Sequence, residues 1–178
     1  GRIDAEEEFE DEHHRPLVFR RTRLETKAGK DWTAIEDVRQ SAPFEIVEGL
    51  DRIGVDVAAL DVGLVVVTRE SEGVASDVPD RMPEGVAPDT PVRLRVEQVS
   101  SVEHAIACGV PVRDADGATT LGAGLGRPLI VTTLEPAEAM RLLAVDHRNT
   151  TRAVAILLAS GVAAVAIGAA WLVVDAVL

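Results

Sequence analysis

Alternation of apolar and polar residues predicts that most of the chain folds into short β-strands. Residues 16–25 and 32–38 alternate on either side of an Ala-Gly-Lys turn at 28–30, and this pattern predicts a β-hairpin. Further strand-like runs occur at 41–48, 52–60, 62–68, 93–99, 104–113 and 128–134. We therefore expect β-structure to dominate the domain.

Loops and one short helix complete the predicted domain. Between residues 70 and 91 the composition changes to Ser, Gly and Asp with four prolines, which predicts a long loop. A turn is expected at 114–117 and a flexible loop at 122–126. Pro136 suits a first helical position, and the apolar spacing after it predicts a short amphipathic helix. The predicted fold class is β-rich α+β, a compact domain over residues 16–146 with one short C-terminal helix.

The first fifteen residues are expected to form an acidic, flexible tail. Residues 4–12 read DAEEEFEDE, a block of like charges that repel one another. Such a block favours solvation over packing, so we place the start of the folded domain at Pro16. His13 and His14 follow the acidic block, and we interpret them as part of the same solvated segment.

The C-terminal end of the chain has the pattern of a transmembrane helix. Residues 153–174 are 22 positions without a charged side chain. As a helix they would span about 33 Å, close to the hydrocarbon thickness of a bilayer, about 30 Å. We predict a single span at 152–175. The residues that define it are Ala153, Ser160, Ala164, Gly168, Trp171 and Val174.

Two features of the sequence bear on the association and the orientation of this span. Ser160, Ala164 and Gly168 recur at every fourth position, a spacing of small residues that lets two helices approach closely and form a homo-oligomer. Three arginines lie between residues 141 and 152, whereas only Asp175 follows the span. The positive-inside rule then predicts a cell-membrane protein whose domain faces the cytoplasm. A further span upstream would reverse this orientation.

Charge and composition bear on the source and the partners. The net charge is −12, from 30 acidic and 18 basic residues, and only two of the basic residues are lysines. An acidic, lysine-poor surface is typical of proteins that work in concentrated salt, where ions screen self-repulsion. We therefore expect a halophilic source, with an ordinary acidic domain as the alternative. Nucleic-acid binding is not expected, because affinity for phosphates requires clustered bases.

No catalytic, cofactor-binding or metal-binding residues are predicted from the sequence. Cys108 is the single cysteine, so the chain can form neither an internal disulfide nor a Cys₄ zinc site. His104 stands four positions before it, but no third ligand lies near them in sequence. The GAGLG segment at 122–126 is followed by a strand, whereas a dinucleotide fingerprint must open a helix.

The order of segments resembles the GIDE domain family, known from membrane-anchored mitochondrial RING ubiquitin ligases. The resemblance covers residues 16–175 and begins with PLVFRRTRLE, a Trp-containing strand and APFEIVEGLDRIGVD. It continues with a strand like RLRVEQV and with PLIVTTLEPAEAMRLLA before the span. The motif residues, interpreted as structural, are Trp32, Pro43, Phe44, Val55, Asp56 and Gly109. The acidic composition suggests a haloarchaeal member.

This resemblance implies a membrane-associated domain with an unidentified protein partner. The ligases carry a RING, which needs about eight Cys and His ligands, and this sequence has one Cys. Our leading hypothesis is therefore a non-catalytic, membrane-tethered interaction or scaffold module. The alternatives are a ubiquitin-ligase-like transferase and an accessory subunit of a membrane protease or transporter. Family members often have an N-terminal span, and the first residue here is Gly1, so we expect a truncated N-terminus.

Overall fold

The computed structural model describes residues 1–60, 63–113 and 117–141 of the 178-residue chain. It confirms a β-rich domain with one short helix, which begins at residue 136. The strands are β1 (Arg2–Asp4), β2 (Phe9–Glu10), β3 (Pro16–Ala28), β4 (Asp31–Ser41), β5 (Phe44–Glu48), β6 (Asp51–Val55), β7 (Leu64–Val65), β8 (Arg69–Val74), β9 (Pro91–Ser100), β10 (Ile106–Cys108), β11 (Val110–Arg113), β12 (Thr119–Gly122) and β13 (Ile130–Thr132).

The strands form three sheets within one compact unit, Gly1–Leu134. The first sheet has the order β1-β5-β6-β12-β11 and the third has the order β10-β13-β7. The second sheet has the order β2-β3-β9-β8, with β4 also paired to β3. Most pairs are antiparallel, but β12 runs parallel to β6 and β13 parallel to β7. The second unit, Glu135–Leu178, begins with the helical residues 136–141.

The predicted hairpin is confirmed, and its strands are longer than the alternation indicated. The register runs from Phe19 opposite Ser41 to Ala28 opposite Asp31. Gly29 makes the turn with φ +67°, a left-handed conformation that glycine adopts without a Cβ clash. One bulge interrupts the register after Leu24, because the two strands there differ by one residue.

The main core lies where the three sheets meet. It contains no Tyr or Trp and is built from aliphatic side chains and two phenylalanines. Its buried members are Ile3, Val18, Phe19, Phe44, Ile46, Val55, Leu60, Val66, Val99, Ala105, Leu129 and Val131. Removal of each such side chain from water contributes about 1.5–3 kcal/mol for the larger residues. Burial of these side chains therefore stabilises the packing of the strands that carry the sequence motif.

The long loop expected at 70–91 is only partly correct. Residues 69–74 form β8, which pairs with β9, and two 3₁₀ turns follow at Ala75–Asp77 and Pro79–Arg81. This segment covers a second, smaller core around Leu24, Ala75 and Val92. Pro79, Pro83 and Pro88 lie outside the strands, but apolar residues close to them still pack against the second core.

The interpretation of residues 1–15 as a flexible tail is wrong. β1 pairs with β5, which places Ile3 opposite Ile46 with only 2% of its surface exposed. Asp11 is also buried, and its carboxylate accepts hydrogen bonds from the backbone nitrogens of His13 and Arg15 and from the Arg15 side chain. Tertiary pairing thus outweighs the repulsion within the acidic block, since most of its carboxylates still face solvent.

The predicted span lies outside the described residues. No helix within the described part of the chain is long and apolar enough to cross a membrane. The membrane-span residues named from the sequence, Ala153, Ser160, Ala164, Gly168, Trp171 and Val174, all belong to the undescribed C-terminal part. The span and its orientation therefore stay predictions.

Candidate functional site

Four residues of the sequence motif come together in the first sheet and the strands beside it, and we call them the motif cluster: Phe44, Val55, Asp56 and Gly109. Phe44 in β5 lies directly opposite Val55 in β6, and both are buried in the main core. Asp56 follows Val55 and caps the 3₁₀ turn Val57–Ala59, where its carboxylate accepts hydrogen bonds from two backbone nitrogens at 3.1 and 3.3 Å. These side chains hold strands in place and point to a structural role.

Gly109 belongs to the same cluster for a different reason. It separates β10 from β11, so the single strand expected at 104–113 is divided there. A Cβ at this position would lie 2.7 Å from the carbonyl oxygen of Gly122 and 2.9 Å from Leu129 Cδ1. A glycine allows the first and third sheets to approach each other this closely. The sequence resemblance singled it out, but only the structure gives the reason.

Trp32 lies apart from the other motif residues, near the turn of the β3–β4 hairpin. The Arg93 guanidinium lies 4.5 Å from the centre of its ring, and Lys27 Nζ lies at 5.7 Å. Arg93 also donates two hydrogen bonds, of 2.8 and 2.6 Å, to the buried carboxylate of Glu25. Such stacking of a cation on an aromatic ring is worth about 0.5–2 kcal/mol, so it braces β3, β4 and β9 at this end.

One face of the second sheet carries an array of ion pairs, which we call the ionic face. Opposed residues on neighbouring strands point to the same side, so Arg21 lies beside Glu97, and Arg23 beside Arg95. The members of the ionic face are Arg21, Arg23, Glu25, Asp37, Glu70, Arg93, Arg95 and Glu97. Its bases and acids are equal in number, so this face offers no net attraction for a polyanion.

Asp37 in β4 shows how closely these charges are coupled. Arg21 donates two hydrogen bonds to its carboxylate, of 2.8 and 2.6 Å. These bonds, together with the charge of nearby arginines, hold the pKa of Asp37 below its ordinary value. Asp37 is therefore ionised at neutral pH and ties β4 to β3.

A concavity lies beside the motif cluster, and we call it the acidic groove. It has a volume of about 730 Å³. Its lining consists of Asp4, Ala5, Glu6, Glu7, Pro43, Phe44, Glu45, Arg52, Gly54, Val55 and Thr120. Four of these side chains are carboxylates and one is a guanidinium, and most of the other lining residues are apolar. The groove thus combines hydrogen-bond acceptors and excess negative charge with a small hydrophobic surface.

Arg52 organises the charges at the rim of the acidic groove. Its Nη1 lies 3.2 Å from a Glu45 oxygen and 2.9 Å from an Asp4 oxygen. The hydrogen bond to Glu45 and the charge of Asp4 raise the pKa of Arg52 above its ordinary value. Arg52 links β1 to the β5–β6 hairpin. It was not identified from the sequence, because Asp4 becomes its neighbour only when β1 joins the sheet.

The histidines and the cysteine do not assemble a metal site in the described part of the chain. No group of three or more His, Cys, Asp or Glu side chains there is arranged to hold a metal ion. His104 forms an isolated bridge with Arg2, and Cys108 is exposed in β10. His14 lies 2.8 Å from Glu10 at the surface. Gly124 of the GAGLG segment and Arg127, which follows the segment, close a tight turn.

Comparisons with protein-family models, with the curated proteins and with the solved structures find no match for this chain. The arrangement of its own residues is therefore the basis for a functional hypothesis.

Proposed function

We propose that this chain is a membrane-anchored, non-catalytic interaction module of the GIDE-like type, held at the cell membrane by a span at 152–175. The observation that carries the proposal is the run of 22 residues without a charge at 153–174. Insertion of such a run buries apolar side chains in lipid, and its length matches the bilayer. The motif residues support a non-catalytic role, since Phe44, Val55, Asp56 and Gly109 serve packing and capping.

Carbonate extraction of membranes tests the anchor. The full chain should remain in the membrane pellet, and a version that ends at Arg148 should appear in the supernatant. The physical reason is that alkaline carbonate removes proteins held by charge but leaves a helix buried in hydrocarbon. A full chain that washes off would contradict the proposed span.

The acidic groove is the surface at which we place the protein partner. Its apolar lining residues and its four carboxylates against one arginine suit a partner segment that carries an apolar residue flanked by basic ones. Glu6 and Glu7 are both exposed at this groove, so they can be changed without disturbing the core. A pull-down from native membranes with the full chain is the direct way to recover the partner.

Charge reversal in the groove provides a matched pair of variants for that pull-down. Glu6→Lys with Glu7→Lys should lose the partner, because the attraction becomes repulsion. Glu84→Lys with Asp89→Lys makes the same change in net charge at exposed positions outside the groove, and it should retain the partner. Equal recovery with both double variants would place the partner elsewhere. Recovery of a protease or a transporter would specify an accessory role.

A further inference from the structure

The strand β4 is the longest edge strand among the described residues. It spans eleven residues, and its one strand partner there is β3. All residues from Asp37 to Ser41 are exposed, and Val38 in their middle keeps 51% of its surface exposed. An edge strand presents unpaired backbone groups on its outer side, which is a template for pairing with another chain. Such edges are commonly protected by proline or lysine, and β4 has neither.

The sequence of β4 is complementary to itself in one particular register. In an antiparallel pair, directly opposed residues point to the same face. A two-fold axis that relates two copies of one strand must therefore pass midway between the two copies of a single residue, and we name the register by that residue. With the axis at Val38, Asp37 of each copy lies opposite Arg39 of the other, and Glu36 lies opposite Gln40. The two Val38 side chains meet at the centre. Every opposed pair in this register is therefore attractive or neutral.

Neighbouring registers are less favourable. An axis at Glu36, Asp37 or Arg39 would place that charged residue opposite itself, and like charges directly opposed are destabilising. The bulge adds a second restriction, because Ile35 has no partner in β3 and the regular part of β4 runs from Glu36 to Ser41. The register centred on Val38 uses residues 36 to 40, which all lie within this regular part.

We propose that the β4 edge pairs with β4 of a second copy of this chain, antiparallel and centred on Val38. The second sheets of the two copies then join into one continuous sheet across the two-fold axis. The ionic face of one copy continues into that of the other, with Asp37 and Arg39 forming an ion pair at each side of the axis. The residues of this interface, 36 to 40, belong neither to the acidic groove nor to the predicted span.

Site-directed crosslinking of the full chain in detergent tests the register. The background is Cys108→Ser, which removes the single, exposed cysteine. Val38→Cys places two thiols on opposed Cβ atoms about 5 Å apart, whereas Gln40→Cys separates its two copies by about 14 Å along the strands. A thiol crosslinker with a reach of about 6 Å should couple Val38→Cys at least about tenfold faster than Gln40→Cys.

A charge substitution gives an independent readout of the same register. Arg39→Glu, added to Val38→Cys, opposes Asp37 of the second copy with a like charge on both sides of the axis. Crosslinking should then fall on the order of tenfold. Arg113→Glu makes the same charge change on β11, at another exposed residue, and should leave it unchanged. Circular dichroism of each variant checks that the β-rich fold is retained.

Two results would overturn the proposal. One is equal crosslinking of Val38→Cys and Gln40→Cys, which random collision or association through the span would produce. The other is the absence of crosslinking in both variants. This result would overturn the proposal whether sedimentation shows the full chain to be dimeric or monomeric at the concentrations used.

Discussion

Gly109 offers a sharp test of how the motif cluster is packed. The perturbation is Gly109→Ala, which adds a single methyl group between β10 and β11. That methyl carbon would lie 2.7 Å from the Gly122 carbonyl oxygen, and ordinary contact begins at 3.4 Å, so the strands must separate by about 0.7 Å. Leu129 Cδ1 would lie 2.9 Å from the same methyl carbon, and because this side chain is 1% exposed it would have to shift within the core.

The expected cost follows from overpacking of a dense interior. Insertion of one methyl group without room for relaxation costs about 1–3 kcal/mol of unfolding free energy. The folded unit has 134 residues, and an unfolding entropy of about 2.1 cal/mol/K per residue gives roughly 0.28 kcal/mol/K. The melting temperature of Gly109→Ala should therefore fall by about 4–11 °C. Thermal circular dichroism of the full chain in detergent measures this change.

Gly122→Ala is the matched control, because it adds the same methyl group on the other side of the same contact. Its new carbon would lie 3.6 Å from an Asp56 oxygen, which is ordinary van der Waals contact. A compatible Gly→Ala change also reduces the entropy of the unfolded chain, so stability should be unchanged or slightly higher. If both variants have the same melting temperature, or if that of Gly122→Ala is lower, Gly109 is not a position of close approach.

Three further predictions concern pH, salt and the span. Burial by itself raises the pKa of Asp11, but hydrogen bonds from Arg15 and His13 outweigh it and hold the pKa well below its ordinary value. The stability that this carboxylate contributes is present above pH about 4 and is lost on further acidification. In urea titrations, the free energy of unfolding of Asp11→Asn should therefore fall less steeply with acid than that of the parent chain. Withdrawal of salt from 1 M to 0.01 M lengthens the screening distance from about 3 to about 30 Å, so the melting temperature of the acidic domain should fall. An unchanged melting temperature would contradict the halophile hypothesis. In a reporter of transmembrane association, Gly168→Ile should abolish the signal, whereas Val165→Ile should retain it, because only Gly168 lies on the small-residue stripe; equal signals would reduce the stripe to composition.

Local pattern was sufficient for the elements whose partners are close in sequence. The β3–β4 hairpin follows from alternation on both sides of Gly29, because the turn itself brings the two strands together. The short helix at residue 136 follows from a proline at its start and the spacing after it. The β-rich class also follows, since the chain supplies many short alternating runs and few helical ones.

Pairing between distant segments was decided only by the tertiary structure. Residues 1–15 have the composition of a solvated tail, yet β1 forms a strand because β5, some forty residues later, provides its hydrogen-bond partners. Similarly, Arg52 gains Asp4 as a neighbour only after that pairing, whereas Glu45 already lies beside it in the β5–β6 hairpin. Composition averages over a segment, whereas one buried residue such as Ile3 determines where the segment packs.

For the candidate surfaces too, the sequence predicts some features and the tertiary structure decides others. The motif residues could be named from the sequence, but their roles depend on contacts with remote strands, such as Gly109 against Gly122 and Trp32 against Arg93. The self-complementary order of residues 36 to 40 is visible in the sequence, but only the sheet order shows that β4 is an edge. A linear sequence specifies each side chain and its alternation along a strand. Which strand is central, and which residues face each other across a sheet, follows from how the described strands pack together around the main core.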